Sequence, residues 1–378
     1  MIHLLPLAGD VGPAVRGLGW DWALEDACQN YVAREAVQLP EATADALLEA
    51  ADTLYDLLRL LAVPEGLWAA VRHSWNDDRH WHLYGRFDIV TTPAGPKLLE
   101  FNADTATSLP ETAVMQWASL VAAGQQDEER QANGLFEGLQ DQLGRWLELN
   151  DDLEPTLLLV HLPGSPEDAA NCAVVAEAAL EAGFSQVHIC PVDAMQVAAA
   201  GEERGAWAEV QTGQWQRFGF VFKLVPWEIL AEEEPALTQD LLDLLRSRDL
   251  VVANPAYTLL FQSKAILAWL WKCFPGHPLL LEASLQELPG RQVRKPVLGR
   301  EGQDVAEVRA GLTLPPPVPG DYADQAAVYQ RFAELPRDAQ GRQYQAGVFW
   351  AGSACAIGFR RDEGFITNTS EFVPHILH

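Results

Sequence analysis

Four polar side chains, spaced two residues apart within two neighbouring segments, are the strongest candidates for chemistry in this chain. Arg86 and Asp88 alternate with apolar residues in the first segment, and Glu100 and Asn102 do so in the second. The residues between the segments, 91–96, have the composition of a turn. A hairpin folded about this turn places Asp88 opposite Glu100 and Arg86 opposite Asn102 on one face. The apolar residues predicted on the other face are Phe87, Leu99 and Phe101.

Opposed carboxylates destabilise a sheet, so a chain that keeps such a pair is expected to neutralise it with a cation. Oxygen atoms from two carboxylates and an amide are hard ligands, which suit magnesium better than zinc. We therefore predict a magnesium site at Asp88, Glu100 and Asn102. The alternative is an exposed hairpin face whose charges share no role. The short polar residues that follow, at 102–108, are suited to holding an anionic group and favour the functional interpretation.

The composition narrows the class of partner. The 378 residues are 48% apolar, which is enough for two or three domains with sizeable cores. With 26 basic and 53 acidic residues the net charge is −27, which argues against nucleic acid or an anionic membrane as a partner. An acidic surface is compatible with a polycationic substrate, although it more often only keeps a protein in solution.

Signals for export, membrane insertion and disulfide formation are missing from the sequence. Residues 1–6 lack the basic region and apolar stretch of a signal peptide, and no segment approaches the roughly 18 apolar residues of a membrane span. The five cysteines are scattered and contain no CxxC pair, so neither a disulfide framework nor a thiolate zinc site is indicated. We therefore expect a cytoplasmic protein, whose oligomeric state the sequence leaves open.

The hydrophobic pattern predicts regions 1–150, 151–255 and 256–378 as the framework that positions these side chains. In the first region, leucines at helical spacing predict helix within 18–75, ended by Pro64. Further helices are predicted at 110–120 and 127–148. In the second region, strands alternate with helices, which is typical of a small parallel α/β layer. Its strands are predicted at 157–160, 187–190, 218–224 and 250–253, with helices at 167–182 and 237–246.

The third region has a different pattern of predicted elements. A helix at 263–274 precedes strands of a predicted antiparallel sheet, at 293–298, 326–333, 344–350 and 354–361. Lys295 lies in the first of these strands and is followed by the glycine-flanked segment 299–302, so an ammonium group and mobile backbone donors can meet phosphate oxygens. The P-loop and dinucleotide fingerprints are absent.

Several single residues carry weaker signals. Lys264 lies near the start of an apolar helix and Gln330 in a strand, where an ordinary surface lysine and a strand polar residue are the alternatives. Alternation turns one of Arg360 and Arg361 inward, where an arginine stabilises charge on a transferring phosphoryl group. Glu228 is able to attract an amine.

The remaining residue types suggest no other chemistry. The histidines do not form a convincing metal set, and His80 and His82 are interpreted as structural or exposed. No serine or cysteine has a local nucleophile motif, so covalent hydrolysis is unsupported.

In order along the chain, these segments resemble the motifs of the glutathionylspermidine synthase family. The similarity runs from about residue 20 to the end, and its motifs are specific together although each is weak alone. The similar segments are Arg86–Asp88, Leu99–Thr105, Ser263–Leu267, Lys295–Pro296 with Gly299–Gly302, Gly358–Arg360 and Ile366–His375.

The resemblance implies an α/β protein with a permuted ATP-grasp fold, N-terminal helices and a smaller three-layer pre-ATP-grasp domain at 151–255. It implies an enzyme that uses ATP and Mg²⁺ to turn a carboxylate into an acyl phosphate, which an amine attacks to give an amide. The implied ligands of magnesium are Asp88, Glu100 and Asn102. The residues implied to bind ATP are Lys264, Lys295, Gly299, Arg300, Gly302 and Gln330. The implied residues on the substrate side are Arg86 and Arg360 for the phosphorylated carboxylate, with Thr105, Thr107 and Glu228.

The positions at which this chain departs from the family pattern bear mainly on which substrate it binds. Thr105 and Thr107 stand where serines are common, and Arg361 stands where an acidic residue is common. Bifunctional members carry an amidase domain before the ligase, and this chain is expected to be of the stand-alone type. Glutathione-like peptides and polyamine-like amines are the implied small-molecule substrates. The alternative is a catalytically inactive ATP-binding protein that binds a partner, which the filled catalytic positions disfavour.

Overall fold

The predicted hairpin forms one edge of a five-stranded antiparallel sheet, called the hairpin sheet below. The computed structural model describes residues 2–24, 32–59, 69–125, 127, 130–309, 311–316 and 318–378. In spatial order the strands of the hairpin sheet are Glu371–Val373, Ser353–Asp362, Gln343–Ala351, Gly85–Thr92 and Gly95–Asn102. As predicted, Asp88 pairs with Glu100 and Arg86 with Asn102.

A β-bulge after Asp88 changes which leucine reaches the core. Beyond the bulge Ile89 pairs with Leu98, so Leu98 packs with Phe87 and Phe101 in a buried apolar cluster. The prediction that Leu99 belongs to this core was wrong, because strict alternation does not allow for the extra residue that a bulge inserts.

A second five-stranded antiparallel sheet, called the lysine sheet, carries Lys295. Its strands in spatial order are Ala283–Ser284, Ala327–Arg331, Gln292–Pro296, Ala306–Arg309 and Leu312–Thr313. The four strands predicted to share one antiparallel sheet are therefore divided between two sheets. The two later strands, Gln343–Ala351 and Ser353–Asp362, pair with each other, and Gln343–Ala351 also pairs with Gly85–Thr92. A period of two identifies the faces of a strand but not its partner, which is why the sequence did not separate the sheets.

Region 151–255 contains the predicted parallel layer. Its strands in spatial order are Val251–Ala253, Phe220–Lys223, Thr156–His161 and Gln186–Pro191, and all neighbours are parallel. Helices Pro166–Ala182 and Pro235–Ser247 contribute buried residues to the cores beside this layer. The single strand predicted at 218–224 is divided at Gly219, since its beginning pairs in a small antiparallel sheet. That sheet consists of Gln196–Ala198, Gly205–Gln211 and Gln214–Phe218.

The N-terminal region is less helical than predicted. Helices Glu41–Arg59 and Ala69–Trp75 lie within 18–75, but the strand Glu35–Leu39 precedes them. This strand pairs with His3–Pro6 and His375–Leu377, so its partners come from both ends of the chain and no local pattern reveals them. Pro64, predicted to end the helical run, lies outside the described residues.

The remaining helices surround these sheets. The predicted helix at 110–120 is a π-helical segment, Pro110–Met115, that continues as Gln116–Ala122, and the helix predicted from 127 begins at Leu135. Among the described residues, no helix is both long and apolar enough to cross a membrane. The other helical segments are Gly12–Gly17, Asp21–Leu24, Leu135–Glu148, Val192–Ala194, Trp227–Glu233, Ala256–Thr258, Leu259–Gln262 and Ile266–Cys273.

The two ends of the chain contribute to one structural unit. The hairpin sheet combines two strands from region 1–150 with three strands from region 256–378. Leu47 of helix Glu41–Arg59 and Leu270 of helix Ile266–Cys273 belong to the same apolar cluster as Phe87. The division into three regions stays a prediction.

Candidate active site

A cavity of about 430 Å³ has walls from both the hairpin sheet and the lysine sheet. This volume lies within the range of about 300–1,000 Å³ that is usual for small-molecule sites. The predicted site residues that line it are Arg86, Asp88, Glu100, Asn102, Thr105, Thr107, Lys264, Lys295, Gly299, Arg300, Gly302, Gln330 and Arg360. The structure thus brings all but one of the predicted residues to a single cavity.

Asp88 is held on the cavity wall by neighbours on its own hairpin. Arg86 donates from Nε to Oδ1 of Asp88 at 2.7 Å and from Nη2 to Oδ2 at 3.1 Å, in a two-bond fork. Asn102 donates from Nδ2 to the same Oδ2 at 3.3 Å. The strand register pairs Arg86 with Asn102, so both donors lie within hydrogen-bond distance of the Asp88 carboxylate.

The two lysines connect the lysine sheet and its adjoining helix to the hairpin. Nζ of Lys264 lies 3.2 Å from Oε2 of Glu100 and donates to the carbonyl oxygen of Gly299 at 2.7 Å. Nζ of Lys295 donates to the carbonyl oxygen of Leu99 at 2.9 Å and to Oε1 of Gln330 at 2.8 Å. Because Gly95–Asn102 is an edge strand, its outer carbonyl oxygens are free to accept these bonds.

The charges at the site shift one another's ionisation. Burial alone would raise the pKa of Glu100, but the positive charges of Lys264 and Lys295 lower it to about 2. Burial raises the pKa of Asp88, and the facing carboxylate of Glu100 adds to the rise against the opposing effect of Arg86. Burial also lowers the pKa of Lys295 to about 8. Asp88 is paired with Arg86 and Glu100 with Lys264, and Lys295 adds a further positive charge near Glu100.

The three oxygen-bearing side chains fit a magnesium ion. Asp88 and Glu100 face each other across the hairpin, and the side-chain amide of Asn102 contacts Asp88, so two carboxylates and one amide lie on one cavity wall. Hard oxygen ligands of this kind are those that magnesium prefers. In this structure Arg86 and Lys264 neutralise the negative charges of the two carboxylates. A bound divalent cation would interact with the same negative charges.

Arg300 connects the glycine-flanked segment to the substrate side. It donates from Nη1 to Oγ1 of Thr105 at 3.2 Å and pairs through Nη2 with Oε1 of Glu228 at 2.7 Å. Glu228 lies in the first turn of helix Trp227–Glu233 and is the predicted site residue that does not line the cavity. Gly302 has a φ of +74°, and a Cβ there would lie 3.2 Å from the carbonyl oxygen of Ile366, so a glycine suits this position.

Arg360 faces the cavity, while Arg361 faces away from it. Arg360 donates to Oγ of Ser108 at 2.7 Å and to the carbonyl oxygens of Asn368 and Ser370 at 2.7 and 3.1 Å. Arg361 instead pairs with Glu371 at 2.6 Å and Glu35 at 2.7 Å. The alternation that predicted one inward arginine therefore selects Arg360.

Sequence reasoning missed a buried ion pair that holds the loop at 103–108, called the substrate loop because it carries Thr105 and Thr107. Nζ of Lys223 lies 2.7 Å from Oδ1 of Asp104, and the two side chains are 1% and 0% exposed. Oδ2 of Asp104 accepts from the backbone N–H of Trp227 at 3.0 Å. These contacts fix the segment that carries Thr105 against the end of the parallel layer. A lysine within the otherwise apolar strand Phe220–Lys223 was the available signal.

Glu167 was also missed. It lies in the first turn of helix Pro166–Ala182 and lines the cavity. Burial, followed by the negative charge of Glu111, raises the pKa of Glu167 to about 7, against the opposing charge of Arg360. No local motif surrounds it, and only the fold brings it to the cavity.

A parallel α/β layer, two antiparallel sheets and a cavity that holds both carboxylates and lysines define this chain as an α/β protein with a polar small-molecule site. The family model described as "Glutathionylspermidine synthase preATP-grasp" matches residues 14–378. This chain belongs to the glutathionylspermidine synthase family.

The individual proteins to which this chain is similar are consistent with this family assignment. A Haemophilus influenzae protein whose name assigns it, provisionally, to the acid–amine ligases is 31% identical over 317 residues, which are 81% of this chain and 77% of that protein. The bifunctional glutathionylspermidine synthetase/amidase of Escherichia coli is 27% identical over 326 residues, or 79% of this chain. Trypanothione synthetase of Crithidia fasciculata is 25% identical over 334 residues, or 82% of this chain. The chain spans about half the length of these last two proteins, 49% in each case.

A solved structure supports the fold class. The apo form of a glutathione synthetase-like effector from Globodera pallida aligns with a TM-score of 0.50 at 9% identity, over 91% of this chain and 89% of the effector. The α/β fold class and the family predicted from the sequence are confirmed.

Proposed function

We propose that this chain is an ATP- and Mg²⁺-dependent carboxylate–amine ligase that forms an amide through an acyl phosphate. The observation that carries the proposal is the arrangement of Asp88 and Glu100 against Lys264 and Lys295 within one cavity. Carboxylates beside lysines are suited to a divalent cation together with polyphosphate oxygens, and phosphoryl transfer needs both. The ligase names of the relatives support the same reaction class.

Asp88, Glu100 and Asn102 would hold the magnesium ion. Bound there, the ion would neutralise charge on the phosphate oxygens of ATP. Arg86 keeps Asp88 in place through its two hydrogen bonds, so this carboxylate keeps its orientation toward the cavity.

The lysines and the glycine-flanked segment would bind the nucleotide. Lys264 and Lys295 are each 8% exposed, and their attraction for phosphate is therefore less weakened by water than on an open surface. Backbone N–H groups of Arg300 and Gly302 would add donors, whereas the N–H of Gly299 donates to the carbonyl oxygen of Pro296 at 3.2 Å. Gln330 and its neighbours Arg331 and Phe332 line the same cavity and would border the adenine.

Arg86, Arg360, Thr105 and Thr107 would form the acid side of the site. A carboxylate oxygen of the acid attacks the γ-phosphorus, and ADP leaves. The amine nitrogen then attacks the acyl carbon, inorganic phosphate leaves and the nitrogen loses a proton. Positioning and charge neutralisation account for both steps without a protein nucleophile. The two arginines would stabilise the negative charge that accumulates on the phosphorylated carboxylate.

A glutathione-like peptide and a polyamine-like amine are the substrates we propose. The names of two relatives contain glutathionylspermidine and trypanothione. A net charge of −27 is compatible with a cationic amine. Among the residues that the structure describes, Oε2 of Glu228 is buried without a hydrogen-bond partner, while Oε1 contacts Arg300. From its place behind Arg300, outside the cavity lining, the negative charge of Glu228 would help to attract the amine.

ADP release with a panel of acids and amines tests the proposal. Glutathione and spermidine belong in the panel, and each assay is run with Mg²⁺ and with a chelator. We expect release that requires ATP, Mg²⁺, one acid and one amine together. ATP binding without release for any pair would favour the inactive, partner-binding alternative, and absence of ATP binding in the presence of Mg²⁺ would overturn the proposal.

A further inference from the structure

Three side chains that can ligate a metal lie together at a place that the proposed ligase reaction does not use. His73, Asp77 and His80 each offer one ligand atom, and these atoms all lie within 4.8 Å of one another. The two imidazole rings meet edge to face, with centroids 5.1 Å apart. The cluster spans the end of helix Ala69–Trp75 and the loop that follows it, ahead of the strand Gly85–Thr92.

Two further observations point to a ligand at this cluster. Among the described residues, Nε2 of His73 is buried and has no hydrogen-bond partner, which carries a desolvation penalty. His73, Ser74 and His80 also line a cavity of about 10 Å³. That volume is about the room of one water molecule or one ion.

We propose that His73, Asp77 and His80 bind a divalent transition-metal ion, with Zn²⁺ as its representative. Two imidazoles and one carboxylate are softer ligands than the oxygen set that magnesium prefers. Three such protein ligands plus one water satisfy tetrahedral zinc. Ligand atoms around zinc lie about 3.4 Å apart, given bonds of about 2.0–2.1 Å, so the three side chains close toward the ion by rotation when it binds.

The surrounding charges leave the cluster accessible to a cation. Oδ2 of Asp77 accepts from Nη2 of Arg248 at 3.2 Å, and the side chain of Arg248 is 59% exposed, while Oδ1 accepts from the backbone N–H of Arg79 at 3.2 Å. A metal ion bound through Oδ2 therefore displaces an exposed surface contact and leaves the bond to Arg79 in place. Arg79 lies between Asp77 and His80 in the sequence but directs its guanidinium to Asn150 at 2.9 Å and to Asp152 at 2.8 Å.

The site has a structural role in this proposal. Helix Ala69–Trp75 packs on Ala256–Thr258, and the cavity beside His73 is also lined by Leu242 and Leu245 of helix Pro235–Ser247. A bound ion ties the segment that precedes the hairpin to the helices of the parallel layer. Because the ion binds the folded chain, it raises the unfolding temperature by about 3 °C at a concentration 100 times the dissociation constant.

Calorimetric titration of the metal-free full chain with ZnCl₂ tests the site. Excess Mg²⁺ is present throughout, so that the oxygen ligands of the active site are occupied, and ATP is omitted. We expect one equivalent of Zn²⁺ to bind with a rise in unfolding temperature. Titration with Co²⁺ gives a visible absorption band that reports nitrogen ligation and tetrahedral geometry.

Matched variants separate this site from adventitious binding. His73→Gln and Asp77→Asn are expected to lose the equivalent and the temperature shift, while His188→Gln, which changes a histidine outside the cluster, keeps both. Arg248→Asn removes the competing cation at a left-handed position that asparagine tolerates, and it is expected to bind Zn²⁺ more tightly. Absence of Zn²⁺ binding, or binding unchanged in both His73→Gln and Asp77→Asn, would overturn the proposal.

Discussion

Nζ of Lys264 lies 3.2 Å from Oε2 of Glu100, so a predicted phosphate-binding lysine and a predicted magnesium ligand form an ion pair. The lysine adjoins the lysine sheet and the carboxylate belongs to the edge strand of the hairpin sheet. The pair therefore connects the two halves of the cavity and holds the charges that magnesium and ATP would rearrange.

Replacing Lys264 should lower the turnover number of the enzyme. Lys264→Met removes a buried ammonium group that we assign to phosphate oxygens, and we expect kcat to fall about 100-fold. Steady-state ADP release measures the change. Lys272→Met is the matched control, because Lys272 is an exposed residue of the following helix and contacts Trp269. Equal activity of both variants would exclude the role of Lys264.

Replacing Asp88 should change the magnesium requirement. Asp88→Asn keeps the shape of the side chain but removes the charge that we assign to the metal. Removing a group that only supports a metal ligand weakens metal binding about 10–100-fold. Because Asp88 is assigned as a ligand itself, we expect the half-saturating Mg²⁺ concentration to rise at least about 10-fold. A Mg²⁺ titration of turnover measures it. The exposed Asp78, changed to Asn, serves as the control, and an unchanged Mg²⁺ curve for Asp88→Asn would remove this residue from the metal site.

Removing either partner of the buried pair of Asp104 and Lys223 should destabilise the fold. Burial raises the pKa of Asp104 and lowers that of Lys223 despite their contact, so desolvation opposes both charges. Asp104→Asn or Lys223→Met leaves one buried charge without its partner and should cost about 3–5 kcal/mol of unfolding free energy.

The double variant Asp104→Asn/Lys223→Met should recover part of this loss, because neither charge then remains buried alone. Denaturant unfolding measures all three variants. Glu148→Gln, which breaks an exposed pair with Arg145, should change the free energy by less than about 0.5 kcal/mol. Strictly additive losses in the double variant would show that the two charges are not coupled.

The sequence predicted the hairpin well because the relevant information was local. Alternation placed Asp88 opposite Glu100, and the turn composition set the register. Every site residue predicted from the sequence lines the cavity except Glu228, although the cavity also has lining residues, such as Glu167, that the sequence did not predict. The bulge that moved Leu99 out of the core left no mark in the alternation, since one additional residue does not change residue types.

What the sequence could not predict depends on partners distant in the chain. The strand Glu35–Leu39 is stabilised by both chain ends, and the strands after 343 join the hairpin instead of Gln292–Pro296. Lys223 reaches Asp104 only because the parallel layer ends behind the substrate loop. His73 and His80 likewise meet through a helix end and a turn that the histidine spacing did not reveal.

Ionisation of Glu167 should destabilise the fold near neutral pH. Its pKa is raised from 4.5 to about 7, so the protonated carboxyl is favoured in the folded chain. The stabilisation is complete below pH 4.5 and is lost as the pH rises through 7, and it amounts to up to about 3 kcal/mol. Unfolding free energies of the wild type and Glu167→Gln, compared at pH 5 and pH 8, should diverge in favour of the variant at the higher pH. A constant difference would mean that Glu167 titrates normally.

Oxygen transfer from the acid to phosphate tests the central proposal most directly. The acid that supports ADP release is labelled with ¹⁸O in its carboxylate and incubated with ATP, Mg²⁺ and the amine, and the products are examined by mass spectrometry. An acyl phosphate requires that one labelled oxygen leaves the acyl carbon with inorganic phosphate, so we predict one ¹⁸O in each phosphate together with ADP and the amide. Unlabelled phosphate, or label that appears in AMP, would contradict a carboxylate–amine ligase that acts through an acyl phosphate.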